Sequence, residues 1–158
     1  MSSTGRRRAF TMIEMVVVVV VIGILAAMVA PRFVMARNES AAASTVEDLR
    51  NIETAIGMYK AQTGAWPKDV SRTQVVKELN PYFRGGVNPF AKDCPIGGVY
   101  DYEGPPAWNP PHISIRKSGS KVYTEADALL VDKHFDDGNL STGIFRKSGS
   151  SRLTYSLD

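Results

Sequence analysis

Four groups of side chains in this sequence have types and spacings that could do chemistry. Glu14 is an acid set inside an apolar run, and nothing cationic lies within that run to pair with it. Burying an unpaired carboxylate in hydrocarbon costs about 2.5–3.5 kcal/mol at a helix centre, so such a residue is functional by default. Asp132, Asp136 and Asp137, with the Asn139 carbonyl, could supply an oxygen cage for Ca²⁺. Their spacing does not match an EF-hand loop, and the preferred alternative is a capped helix end with Asp-Asp-Gly as its turn. Cys94, His112 and His134 are the residues a nucleophilic mechanism would need. Nothing in their spacing brings them together, so no enzyme is expected and Cys94 reads as a half-buried thiol in a Pro-flanked loop. Finally, Arg116, Lys117, Lys121, Arg146, Lys147 and Arg152 gather near two Ser-Gly turns beside Tyr123, Phe145 and Tyr155. That pattern could touch nucleic acid, but solvated turn residues are the commoner explanation.

Charge accounting sets these groups in context. Lys and Arg number 19 against 16 Asp and Glu, a net charge of +3 with a pI near 9.1. Arg6, Arg7 and Arg8 account for the whole surplus, leaving 16 basic and 16 acidic side chains in the remainder. The basic pI is therefore a property of the N-terminal leader, and nucleic acid is not an expected partner. At 158 residues and 44% hydrophobic, the chain has room for one ordinary domain and is not of a disordered composition.

The elements that position these residues can be read from periodicity. Residues 1–9 form a basic leader. Residues 10–31 are apolar, with six valines from Val16 to Val21, and the 21 residues from Phe10 to Ala30 are about 31 Å long as a helix. Residues 32–64 continue that helix with an apolar stripe at Ala42, Val46, Leu49, Ile52, Ile56 and Tyr59, spaced by threes and fours, with Gly64 as the cap. Residues 65–158 form a head. It contains a short helix from about Ser71 to Leu79, strands at 99–102 and 112–115, a helix at 124–138 stopped by Gly138, and two strands within 143–157. Arg116-Lys117-Ser118-Gly119-Ser120 recurs as Arg146-Lys147-Ser148-Gly149-Ser150, and both copies read as strand-ending turns. Trp66 and Trp108 are expected to cap the sheet edge. The fold class is α+β: a long N-terminal α-helix, membrane half plus amphipathic half, packed on a small antiparallel β-sheet.

Gly5-Arg6-Arg7-Arg8-Ala9-Phe10-Thr11-Met12-Ile13-Glu14, followed by the valine run, resembles the class III signal of type IV pilins and type II secretion pseudopilins. The resemblance implies cleavage between Ala9 and Phe10 by a prepilin peptidase and N-methylation of Phe10. Ala9 departs from the family's usual glycine before the cut. Gly23 and Pro31 stand where pilin-like helices commonly carry Gly and Pro, and with Glu14 they are the implied assembly residues. Proline within a helix removes one backbone bond, so a kink or loosening is expected at Pro31. Tyr59-Lys60, Thr63-Gly64 and Trp66-Pro67 resemble the helix-end motif of major pseudopilins, and Asn88-Pro89-Phe90 with Gly97 to Tyr102 resembles their entry into the sheet.

The implied function is that of a pseudopilin, a structural subunit of a type II secretion pseudopilus that supports protein export. Implied partners are other copies of the chain, minor pseudopilins, the peptidase, an inner-membrane assembly platform and the membrane itself. The implied location is the inner membrane, single-pass, with a cytoplasmic N-terminus and an extracytoplasmic head. Some pseudopilins carry calcium in their C-terminal region, which keeps the Asp132 cluster in view as a metal site. The alternatives are a type IV pilin of a surface filament for adhesion, motility or DNA uptake, and a membrane-anchored domain that binds a ligand.

Overall fold

A computed structural model describes residues 10–70 and 76–157. These residues divide between Arg37 and Asn38 into two compact units, each described by itself.

In the first unit, helix α1 (Met12–Thr63) starts at Met12 and carries the apolar run. Pro31 sits inside it without interrupting the helix. Residues 10–37 are exposed throughout, including the valines from Val16 to Val21. One window of α1 has a mean hydropathy of 2.9 and is apolar enough to cross a membrane.

In the second unit, the remainder of α1 carries the stripe expected from its spacing. Ala42, Leu49 and Ile52 are fully buried, and Val46 and Ile56 nearly so. Ala55 and Thr45 widen the stripe. Gly64 ends α1 in the left-handed region, its amide donating to the Lys60 carbonyl at 2.9 Å, a conformation costly for a residue with a Cβ.

The core opposite that stripe comes from a four-stranded antiparallel sheet. Strands β1 (Val99–Glu103), β2 (His112–Arg116), β3 (Phe145–Ser148) and β4 (Arg152–Ser156) lie in the order β1-β2-β4-β3. Alternation sends Tyr100, Tyr102, Ile113, Ile115, Leu153 and Tyr155 into the core shared with Leu49, Ile52 and Ile56. Asp101, Glu103, Ser114, Arg116 and Arg152 occupy the intervening positions.

Helix α2 (Glu125–Phe135) starts under a full capping box, with Thr124 and Asp127 exchanging side-chain and backbone bonds.

Three expectations are corrected. The first part of the expected 71–79 helix, residues 71–75 with Ser71 and Gln74, lies outside the described residues, and its end is 3-10 rather than α, in a segment Lys77–Tyr82 that contains Pro81. Proline biases the residue before it away from α geometry, which disfavours an α-helix running on through Asn80. Helix α2 stops at Phe135 rather than at Gly138, because Asp136 leaves helical geometry as the C-cap and its carboxylate turns to the amides of Ile144 and Phe145. Cys94 is buried rather than half-buried, at 3% exposure.

Candidate functional site

The start of α1 is built by Thr11 and Glu14. The Thr11 amide and hydroxyl both donate to Glu14 Oε2, at 2.9 and 2.8 Å, and the Glu14 amide donates back to the Thr11 hydroxyl at 3.3 Å. This reciprocal capping box satisfies donors that a helix start otherwise leaves open. It also gives the one acid of the apolar run a local partner. Thr11 is the capping residue that sequence reasoning missed, although its signature, Thr-x-x-Glu ahead of an apolar run, is present. Phe10, Ile13, Val17 and Val18 line a shallow depression of about 370 Å³ beside Glu14. Gly23 has open space around its Cα, and Pro31 lies within continuous helix. Ala9 falls outside the described residues.

The acidic cluster converges at the end of α2. Asp132, Asp136 and Asp137 each offer a carboxylate oxygen, and these oxygens lie within 4.8 Å of one another. They are not equivalent. Asp136 accepts from the Phe145 amide at 2.9 Å and from the Ile144 amide, which ties the loop back to β3. Gly143 is required beside it, since a Cβ there would collide with the Asp136 carboxylate. Asp137 accepts from the Asn139 amide at 2.8 Å and the Thr142 hydroxyl at 2.6 Å, and these bonds hold its carboxyl below the ordinary value. Asp132 is fully buried; no side-chain group bonds its carboxylate, and the backbone amides of Asn139 and Gly138 approach it. Burial, then the charges of Asp137 and Asp136, push its carboxyl up to about 6.

Four of the six basic residues are brought to carboxylates. Arg116 pairs with Asp101 at 2.7 Å and with Glu103, and Arg152 reaches Glu103 at 3.0 Å. Lys121 pairs with Asp93 and Lys147 with Glu125, Arg146 donates to the Gly143 carbonyl, and Lys117 lies over the Tyr123 ring. A surface so compensated offers little field to a polyanion.

The remaining nucleophile and base candidates are separated. Cys94 lies 3.6 Å from the Thr45 hydroxyl, and burial pushes its thiol up. His112 Nε2 sits 2.7 Å from Glu103, and His134 Nε2 sits 2.8 Å from Glu39. Burial and then the Arg152 charge hold the His112 imidazole below its ordinary value. Trp108 stands edge-on to His112, with ring centroids 4.9 Å apart. Trp66 lies under Lys60 Nζ at 3.6 Å, near the end of α1.

A capped apolar helix start, an amphipathic continuation and a four-stranded sheet together define a pilin-like subunit. Residues 4–30 match the prokaryotic N-terminal methylation motif. The fold resembles that of the major type IV pilin PilA1 from Clostridium difficile, with a TM-score of 0.53 at 18% identity, covering 76% of this chain and 96% of that one. The type II secretion system core protein G of Pseudomonas aeruginosa is 34% identical over 135 residues, 78% of this chain and 92% of the relative. The Vibrio cholerae counterpart is 32% identical over 112 residues, 66% of this chain and 76% of that one. In Klebsiella pneumoniae the match is 30% over 93 residues, 59% of this chain and 63% of the relative. The chain belongs to the type II secretion system core protein G family, the pseudopilins.

Proposed function

We propose that the chain is cut between Ala9 and Phe10, methylated at Phe10, and polymerised through α1 into a pseudopilus supporting protein export. The observation that carries this reading is Glu14, the one acid in an apolar, exposed helix start. Cleavage would create an α-amine on Phe10 that stays cationic after methylation. That amine on an incoming subunit can pair with Glu14 of a neighbour. Because both charges are costly to desolvate unpaired, the pairing favours one axial register and penalises others.

Arg6 to Arg8 would hold the leader on the cytoplasmic side and place residues beyond the span in the extracytoplasmic space. Prepilin peptidase, an inner-membrane platform, minor pseudopilins and further copies of the chain are the partners this reading requires. Mass spectrometry of the membrane-extracted protein is the test. An N-terminal methyl-Phe10 is the expected result, and an intact leader or a cut after residue 30 would overturn it.

A second reading concerns the acidic cluster and rests on Asp132. A fully buried carboxylate facing two further carboxylates is the donor set of a hard cation such as Ca²⁺. Asp132, Asp136 and Asp137 would hold the ion, which would replace mutual repulsion with shared attraction and tie α2 to the loop entering β3. Calcium should then raise the melting temperature of the intact chain, and Asp132→Asn should remove that response. No calcium-dependent shift in the parent protein would end this reading.

A further inference from the structure

The apolar part of α1 has a second polar boundary. Between the helix start at Met12 and Pro31 there are 20 residues, about 30 Å of helix, which equals the hydrocarbon core of a bilayer. With the Thr11–Glu14 cap at one edge of that core, Arg32 falls at the other. Arg37 stands five residues later, about 7.5 Å further along the helix. A bilayer about 40–45 Å thick overall leaves about 5–8 Å of headgroup layer on each side of the core. The step from Arg32 to Arg37 therefore matches the depth of that layer.

The side chains between the two arginines suit the same environment. Phe33 is 73% exposed and Met35 72%, and Phe is among the side chains that interfacial helices bury at the headgroup–acyl boundary. Among the described residues, neither guanidinium has an ion-pair or hydrogen-bond partner. A guanidinium binds phosphate oxygens bidentately and snorkels readily from an apolar helix. Arg6 to Arg8 border the span on its other side only until the leader is removed. Thereafter Arg32 and Arg37 are the guanidinium groups that bound it.

We propose that Arg32 and Arg37 form a phosphate clamp for anionic phospholipid headgroups of the outer leaflet, with Phe33 and Met35 seated between them. The clamp sets the depth at which a processed subunit waits in the membrane, with Glu14 near the opposite edge. Its placement in the outer leaflet rests on the topology proposed above, whereas its chemistry does not.

The test uses the full chain in phosphatidylcholine vesicles with and without phosphatidylglycerol. A spin label at Ala36→Cys reports depth by power saturation, Cys94 being shielded at 3% exposure. The label is expected in the headgroup layer, at a depth that responds to phosphatidylglycerol. Arg32→Gln with Arg37→Gln should move it by about one helical turn, about 5 Å, and abolish the lipid response. Arg32→Lys with Arg37→Lys should retain part of that response. A depth unchanged in the double Gln variant, or a parent depth indifferent to phosphatidylglycerol, would overturn the clamp. Protease access to the head in spheroplasts tests the topology separately: a protected head overturns the outer-leaflet placement and leaves the vesicle result standing.

Discussion

The two parts of helix α1 are held by different solvents. From Met12 to Arg37 every side chain is exposed, and the sequence is dominated by valine, a poor helix former in water. From Ala42 to Ile56 the helix buries a stripe at spacings of three and four. The first part needs lipid or neighbouring helices, because hydrocarbon leaves backbone groups no partner outside the helix. The second needs only the sheet of its own unit. A single helix can therefore have one part satisfied within the monomer and another that awaits its surroundings.

The largest test of that contrast is Glu14→Lys. It should abolish filament assembly while leaving membrane insertion intact, as read from sheared filaments against the membrane fraction; normal filaments would falsify the register argument. Next is Leu49→Ala, which empties a fully buried position at a cost of about 2–5 kcal/mol in thermal unfolding of the second unit. Val17→Ala in the exposed part should leave that transition unmoved, and an equal loss would erase the distinction between the two parts. Thr11→Val removes the cap, worth about 1 kcal/mol, so assembly should slow without stopping.

Two buried groups in the second unit sharpen the picture through pH, with opposite signs. Asp132 titrates near 6, above its ordinary value, so the fold favours its protonated form. That stabilisation is present at low pH and is lost as pH rises from about 3.8 through about 6. In calcium-free buffer, Asp132→Asn should flatten this dependence. The imidazole of His112 is held below its ordinary value, so the fold favours its neutral form. That stabilisation is present above about 6.5 and is lost as pH falls through the depressed value. His112→Gln should remove this smaller acid-side loss; an unchanged melting profile between pH 7 and 5 would argue against the assigned cause.

Most elements are legible in the sequence because their signals are local. The α1 stripe, the Thr124–Asp127 cap and strands β1 and β2 arise from periodicity and capping residues, and all lie close to their expected positions. The 3-10 geometry after residue 76 is not legible, because a capping-box spacing at Ser71 and Gln74 outweighs the signal of Pro81. The stop of α2 reads as Gly138 because the competing acceptor role of Asp136 involves amides eight and nine residues away. The six cations near the Ser-Gly turns read as a patch because the carboxylates that four of them meet, such as Glu103 of β1 for both Arg116 and Arg152, are distant in sequence.

The sequence by itself determined the N-terminal methylation motif, the apolar run, the position of Glu14 and the helical stripe, since each depends on residue type at short separation. Only the tertiary structure decided that Asp132 is fully buried, that Cys94 is sealed in the core, and that most cations near the basic turns meet carboxylates. Burial and charge pairing are set by which chain segments meet, and no local pattern of residues records that.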